Sequence, residues 1–318
     1  MNEKLSRRQM MTRSTATLAA GVAAVAASTS AAERSTPTDA EPFVYCLNTA
    51  TIRGTKLPLD EEVEVAAKAG YGGIEPWIGN IAQYAEGGGS LKDLGKRIAD
   101  LGLKVVSGIG FPRWIVDDED QRAQGLEDMK RDMDLIARIG GRHIAAPPAG
   151  AHATPGMDLL AIAGRYRAVL ELGREMGVVP QLEIWGSSKT LSRVGEAVFV
   201  AVESGHPDAC LLLDAYHIYK SGSSFTGLKL LNGAAMHDFH INDYPADPPR
   251  ETISDGDRVY PGDGVAPLPS ILRDLYTTGF RGALSLELFN RRYWEQDALT
   301  IARTGLEKMR AVVQKTFS

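Results

Sequence analysis

The chain has 318 residues, of which 44% are hydrophobic and 24% charged, ordinary proportions for a globular protein. A formal net charge of −5 argues against a nucleic-acid partner, which would need a basic face. The length allows two domains, but single α/β barrels routinely reach ~250 residues. No linker or shift in composition divides the chain beyond residue 41.

The first thirty residues read as a targeting segment. Ser6-Arg7-Arg8-Gln9-Met10-Met11 is a twin-arginine pattern, followed by an Ala-rich run over 16–27 and the small residues Ser30-Ala31-Ala32 at a cleavage position. That run is too short and too poor in Leu, Ile and Phe to span ~30 Å of hydrocarbon. The expectation is a removable signal peptide over 1–32, a disordered linker over 33–41 and one folded unit over 42–318. Such a signal delivers an already folded protein to the periplasm through the twin-arginine export machinery.

From there short apolar runs alternate with longer amphipathic ones. The spacing predicts strands over 43–48, 73–77, 103–109, 143–146, 178–185, 210–214, 235–241 and 283–288. Helices follow each strand in turn, over 60–69, 90–101, 119–139, 157–176, 191–204, 225–231, 268–276 and 295–313. Several helical stretches end at a glycine just before the next strand, the helix-stop role of a residue that tolerates positive φ. The apolar runs are continuous, as expected of parallel strands covered on both faces. Eight such units predict a (β/α)8 TIM barrel. An open doubly wound sheet is the alternative, but no GxGxxG follows the first strand. Cys46 and Cys210 fall on strands that are not neighbours, and are expected as two unpaired buried thiols.

In a barrel of this kind the chemistry sits at the C-terminal ends of the strands. Four consecutive predicted strands end in Glu183, Asp214, His240 and Glu287. Carboxylates converging in one barrel mouth repel unless something positive lies between them, and a divalent cation meets that need. Three carboxylates and one imidazole form a mostly hard, oxygen-rich set, suited to Mn²⁺ first and to Mg²⁺, Co²⁺ or Zn²⁺. Trp77, Trp114 and Trp185 fall just past strand ends, where an indole face can stack on a sugar ring. Glu75 ends the second strand and is a candidate for binding a substrate hydroxyl, with a structural ion pair as the alternative.

These residues give the chain its resemblance to the xylose isomerase-like TIM barrels, the sugar phosphate isomerase/epimerase superfamily. The motifs are Leu182-Glu183, Asp214-x-x-His217, His240-x-x-Asp243, Pro261-Gly262-Asp263-Gly264 and Leu286-Glu287-Leu288-Phe289. The resemblance implies that Glu183, Asp214, His240 and Glu287 hold one metal ion, and that His217 and Arg258 hold a sugar or keto-sugar substrate. It further implies proton abstraction α to a carbonyl through a metal-stabilised enediolate, with Glu183 and Glu287 as base and acid. Asp263 stands where the family usually has Glu. A homo-oligomer is compatible with the sequence.

Other activities use the same parts. Loss of a glycosidic oxygen after the same proton abstraction would make the protein a lyase on 3-keto-glycosides. Apurinic-site endonucleases of the same superfamily hold three zinc ions with several histidines, whereas this chain has 6 His and carries Glu75 and Phe111-Pro112 at the corresponding strand ends. Two-metal hydride transfer would want a Lys shortly after the fifth-strand Glu, and here Ile184-Trp185-Gly186 follows. A non-catalytic sugar-binding protein would have no need of two opposed metal-bound glutamates.

Overall fold

The computed structural model describes residues 41–318, so the expected signal peptide and all but the last residue of the expected linker lie outside the described residues. The strands are β1 (Val44–Asn48), β2 (Gly73–Glu75), β3 (Lys104–Val105), β4 (His143–Ala146), β5 (Val179–Glu183), β6 (Leu211–Asp214), β7 (Asp238–Ile241) and β8 (Ala283–Leu286). All pairings are parallel, in the order β3-β2-β1-β8-β7-β6-β5-β4. Gly108 joins the two ends of that order. Its amide donates to the His143 carbonyl at 3.2 Å, and its own carbonyl accepts from the Ala145 amide at 2.9 Å. A side chain at Gly108 would strike Ile136 Cδ1 at 2.8 Å, so glycine is what lets backbone and helix meet here. The result is the expected (β/α)8 barrel.

The helices are α1 (Leu59–Ala69), α2 (Ile78–Glu86), α3 (Leu91–Asp100), α4 (Glu119–Arg138), α5 (Leu159–Met176), α6 (Val194–Glu203), α7 (Ala215–Lys220), α8 (Leu268–Thr277) and α9 (Ala298–Phe317). Local chemistry sets their starts. Ser90, Asp118, Asp158 and Asp297 each accept a first-turn amide of α3, α4, α5 and α9. Apolar spacing sets the face they bury: α3 turns Leu91, Leu94 and Ile98 inward and leaves its charges outside. Cys46 and Cys210 are both buried and free, as expected.

Four elements differ from the sequence reading. The regular part of the third strand is only Lys104–Val105, because pairing breaks at Ser107 and resumes around Gly108 and Ile109. The helix expected over 225–231 is a 3-10 segment, Phe225–Leu230. The α-helix after β6 is α7, which starts immediately because Asp214 caps it, its Oδ1 accepting from the His217 amide at 2.8 Å. Helix α2 went unforeseen: it buries only Ile78 and Ile81, too few apolar positions to stand out as a period.

One carboxylate fixes the loop that carries Arg258 to the barrel mouth. Asp243, two residues past β7, accepts main-chain amides from Tyr244 (2.8 Å), Gly262 (3.0 Å), Gly264 (3.1 Å) and Ala266 (2.8 Å). Gly264 is needed for this approach, since a Cβ there would lie 2.3 Å from Asp243 Oδ1. Replacing Asp243 with Ala strands four amides, and is expected to lower stability by about 2–4 kcal/mol in urea unfolding. A loss under 0.5 kcal/mol would show that the loop is held by other contacts.

Candidate active site

The four strand-end residues come together at the C-terminal mouth of the barrel, all of them buried. Glu183 and Asp214 close β5 and β6, His240 lies within β7, and Glu287 follows β8 by one residue. His240 Nδ1 is 3.8 Å from Asp214 Oδ2 and 3.4 Å from Glu287 Oε2. One donor atom from each of Asp214, His240 and Glu287 lies within 4.8 Å of the others. Glu183 lines the same cavity of about 300 Å³ as Glu287. Its Oε1 accepts from the Trp185 indole N–H at 3.1 Å, while Oε2 is buried without a hydrogen-bond partner. His240 Nδ1 is likewise buried and unpartnered.

His240 Nδ1, unpartnered beside oxygens of Asp214 and Glu287, fits a divalent cation, because buried polar atoms otherwise find a partner; Glu183 lies outside that group of three. The imidazole is already turned for it. His240 Nε2 lies 3.1 and 3.3 Å from the two oxygens of Glu75, which places the N–H there and the lone pair on Nδ1. Glu75 is therefore not at the cavity surface. It is fully buried, receives Asn48 Nδ2 at 2.9 Å and Ser285 Oγ at 2.7 Å, and orients His240 from behind. Beneath it Asp238 is also fully buried, with both carboxylate oxygens unpartnered.

Charge accounting follows from this burial. Desolvation, with the charges of Glu287 and Asp214 adding to it and His240 opposing, pushes the Glu183 carboxyl up to about 8. Burial and the neighbouring Glu75 raise Asp238 well above the carboxylate range. Asp214 goes the other way: burial opposes its ionisation, but Arg258, His217 and His240 outweigh that and hold it low. For His240, burial disfavours charge and is overcome by Glu75 and Glu287, which raise it well above an ordinary imidazole.

Arg258 is the buried guanidinium of the site. Its Nη1 donates to Asp214 Oδ2 at 3.2 Å and Glu287 Oε2 at 2.9 Å, and its Nη2 donates to Asp255. The same Nη2 lies 3.2 Å from His217 Nε2, while the Gly186 amide is 3.2 Å from His217 Nδ1. Burial and the charge of Arg258 lower the His217 pKa, against the pull of Asp214. A neutral imidazole has one lone pair, so it can accept from only one of these two neighbours.

The mouth is rimmed by aromatic rings. Trp77, Phe111, Trp185 and Phe289 line the cavity, with Phe111 5.1 Å from Trp77 and 6.0 Å from Trp185 between ring centroids. Trp114 is not among them. It is fully buried, donates to the Pro147 carbonyl at 2.8 Å and packs on Tyr166. Sequence reading also passed over two asparagines at strand ends. Asn48 donates to Glu75 and, at 3.3 Å, to Glu287, and its Oδ1 accepts from the Trp77 indole at 3.1 Å. Asn242 donates to Asp214 Oδ2 at 2.9 Å. Asn48 closes β1 and Asn242 follows β7 by one residue, and those strand-end positions were the available signal.

Comparison with known proteins agrees with this architecture. Residues 63–312 match the family described as xylose isomerase-like TIM barrel. The chain is 26% identical over 276 residues to inosose isomerase of Bacillus velezensis, a match covering 86% of this chain and 98% of that protein. It is 27% identical over 278 residues to 3-dehydroshikimate dehydratase of Pseudomonas aeruginosa, covering 84% of this chain but 41% of that protein. Among solved structures, the IOLI protein with a bound zinc atom superposes with a TM-score of 0.79 at 25% identity, over 87% of this chain and 100% of that one.

If Glu75 orients His240 for a cation, Glu75→Gln should weaken Mn²⁺ or Zn²⁺ binding by about 10–100-fold in equilibrium dialysis. Unchanged affinity in a folded variant would remove Glu75 from that role.

Proposed function

Because the chain belongs to the xylose isomerase-like TIM barrel family, we propose that it is a divalent-metal-dependent sugar isomerase or epimerase that moves a proton at the carbon α to a carbonyl. The observation that carries this reading is the convergence of Asp214, His240 and Glu287 donor atoms beside a cavity that Glu183 also lines. The zinc atom in the IOLI structure supports a divalent metal. The oxygen-rich donor set favours Mn²⁺ as the working ion.

When bound, the cation supplies Lewis-acid polarisation of the substrate carbonyl and stabilises the negative charge left by proton removal. The protein supplies the proton path. Glu183, whose Oε2 is free of partners, lines the cavity and takes the α-proton, while the Trp185 indole holds Oε1 in place. Glu287 arrives from a strand three places away in the barrel order, its two oxygens held by Asn48 and Arg258, and returns a proton. Return to the opposite face of the same carbon is epimerisation; return to the neighbouring carbon is isomerisation. His217 and Arg258 orient substrate oxygens, and Trp77 and Trp185 cover the apolar face of the ring.

Elimination is a second reading, favoured by the similarity to a dehydratase. It shares the proton abstraction at Glu183 and differs in that the electron pair expels a β-oxygen instead of recapturing a proton. The proposal includes a signal peptide over 1–32, a linker over 33–41, a barrel over 42–318 and a periplasmic location, resting on Arg7-Arg8 and the Ala-rich run after them.

The test is incubation of the Mn²⁺-loaded protein with free ketoses and with 3-keto-glycosides in D₂O. Deuterium in an epimerised or isomerised sugar supports the first reading, and release of an aglycone with an unsaturated keto-sugar supports the second. No exchange with any substrate contradicts both. Glu183→Gln should lower kcat by roughly 10²–10⁴-fold while the protein stays folded.

A further inference from the structure

We propose that the substrate has two parts, with an uncharged polyhydroxylated unit seated in a second cavity across Trp77 from the carboxylate cluster. This deepens the reading above, in which the cluster handles a keto-sugar ring. The two cavities share Trp77 as a wall. The inner one, about 300 Å³, lies at the small end of ligand sites, whereas the outer one is about 990 Å³. A substrate confined to one ring would leave most of that space to water.

The outer walls come from the segment between β1 and α1, from the first turn of α1 and from helix α2. They contribute Arg53, Lys56, Glu62, Asn80, Gln83 and Tyr84. Arg53 stacks its guanidinium 3.5 Å from the Trp77 ring centre, and thereby ties the two cavities together. Glu62 is the buried member, 2% exposed, and accepts from Asn80 Nδ2 at 3.2 and 3.4 Å.

This inventory selects among ligands. Carboxyl, amide and hydroxyl groups mixed with two cations offer both donors and acceptors, which is what sugar hydroxyls require. A phosphate would meet the cations but also the buried Glu62 carboxyl, at a cost in like-charge repulsion. A flat apolar group would cover Asn80 and Gln83 without replacing the hydrogen bonds they make to water. Burial also pushes the Glu62 carboxyl up to about 7, against Asn80 and Arg53, so near neutral pH it can donate as well as accept. A glycosyl or polyol unit satisfies all these groups at once.

The experiment compares α-deuterium exchange by the Mn²⁺-loaded protein on a 3-keto-hexose and on a 3-keto-disaccharide containing the same ring. The disaccharide should show a kcat/KM at least tenfold higher. The double variant Gln83→Ala/Tyr84→Phe should erase most of that advantage and leave the hexose within twofold of its wild-type value. Gln83 is exposed, so the fold is not at stake there. Equal kcat/KM for the two sugars, or an advantage that survives the double variant, overturns the inference while the proposed function stands. A hexose phosphate matching the disaccharide overturns the uncharged character of the second unit. No exchange on either sugar overturns the function and this inference together.

Discussion

Five carboxylates lie inside this barrel with little water around them: Glu75, Glu183, Asp214, Asp238 and Glu287 are all buried. Burying a charge costs several kcal/mol unless it is paired, so positive charge has to reach this interior by some route. One guanidinium, Arg258, bridges Asp214 and Glu287. His240 sits between Glu75 on one nitrogen and the Asp214–Glu287 pair on the other. Protons are held more tightly at Glu183 and Asp238, whose carboxyls burial raises. A divalent cation entering beside His240 Nδ1 and Glu183 would exchange for protons on those groups, which ties metal affinity to pH and leaves Glu183 ionised as a base.

The surrounding structure can be understood as support for that cluster. Asp214 divides its oxygens, one capping α7 and the other facing His240. Asp243 gathers four amides to hold the loop leading from Arg258 to α8. Asn48 links Glu75, Glu287 and Trp77, joining the buried carboxylate layer to the aromatic rim. Rigid packing of this sort is what the proposed proton transfer needs, since its acid and base would have to be held within hydrogen-bond reach of one carbon.

Much of this was legible in the sequence, for reasons particular to each element. Eight apolar runs with glycine-terminated helices between them announce a barrel, because parallel strands buried on both faces leave so simple a pattern. Glu183, Asp214, His240 and Glu287 were visible because an ionisable residue at the end of an apolar run stands out. Glu75 and Trp114 were visible as residues but not as placements. Strand-end position cannot tell whether a side chain faces the cavity or the layer behind it, and Glu75 turns toward His240 while Trp114 turns into the core. Helix α2 and the outer cavity it walls were not legible, since two buried residues make no period. Arg53 stacking on Trp77 joins a turn to a strand end through space, which no spacing along the chain records.

The proposed chemistry depends on one cation held from the Nδ1 side of His240. Anomalous diffraction at the manganese edge, on crystals of the Mn²⁺-loaded protein, tests it directly. A single peak is predicted at roughly 2.0–2.3 Å from His240 Nδ1 and from oxygens of Glu183, Asp214 and Glu287. A peak on the opposite side of the ring, bonded through Nε2 with Glu75 and Asp238, or no peak within the barrel mouth, would contradict it.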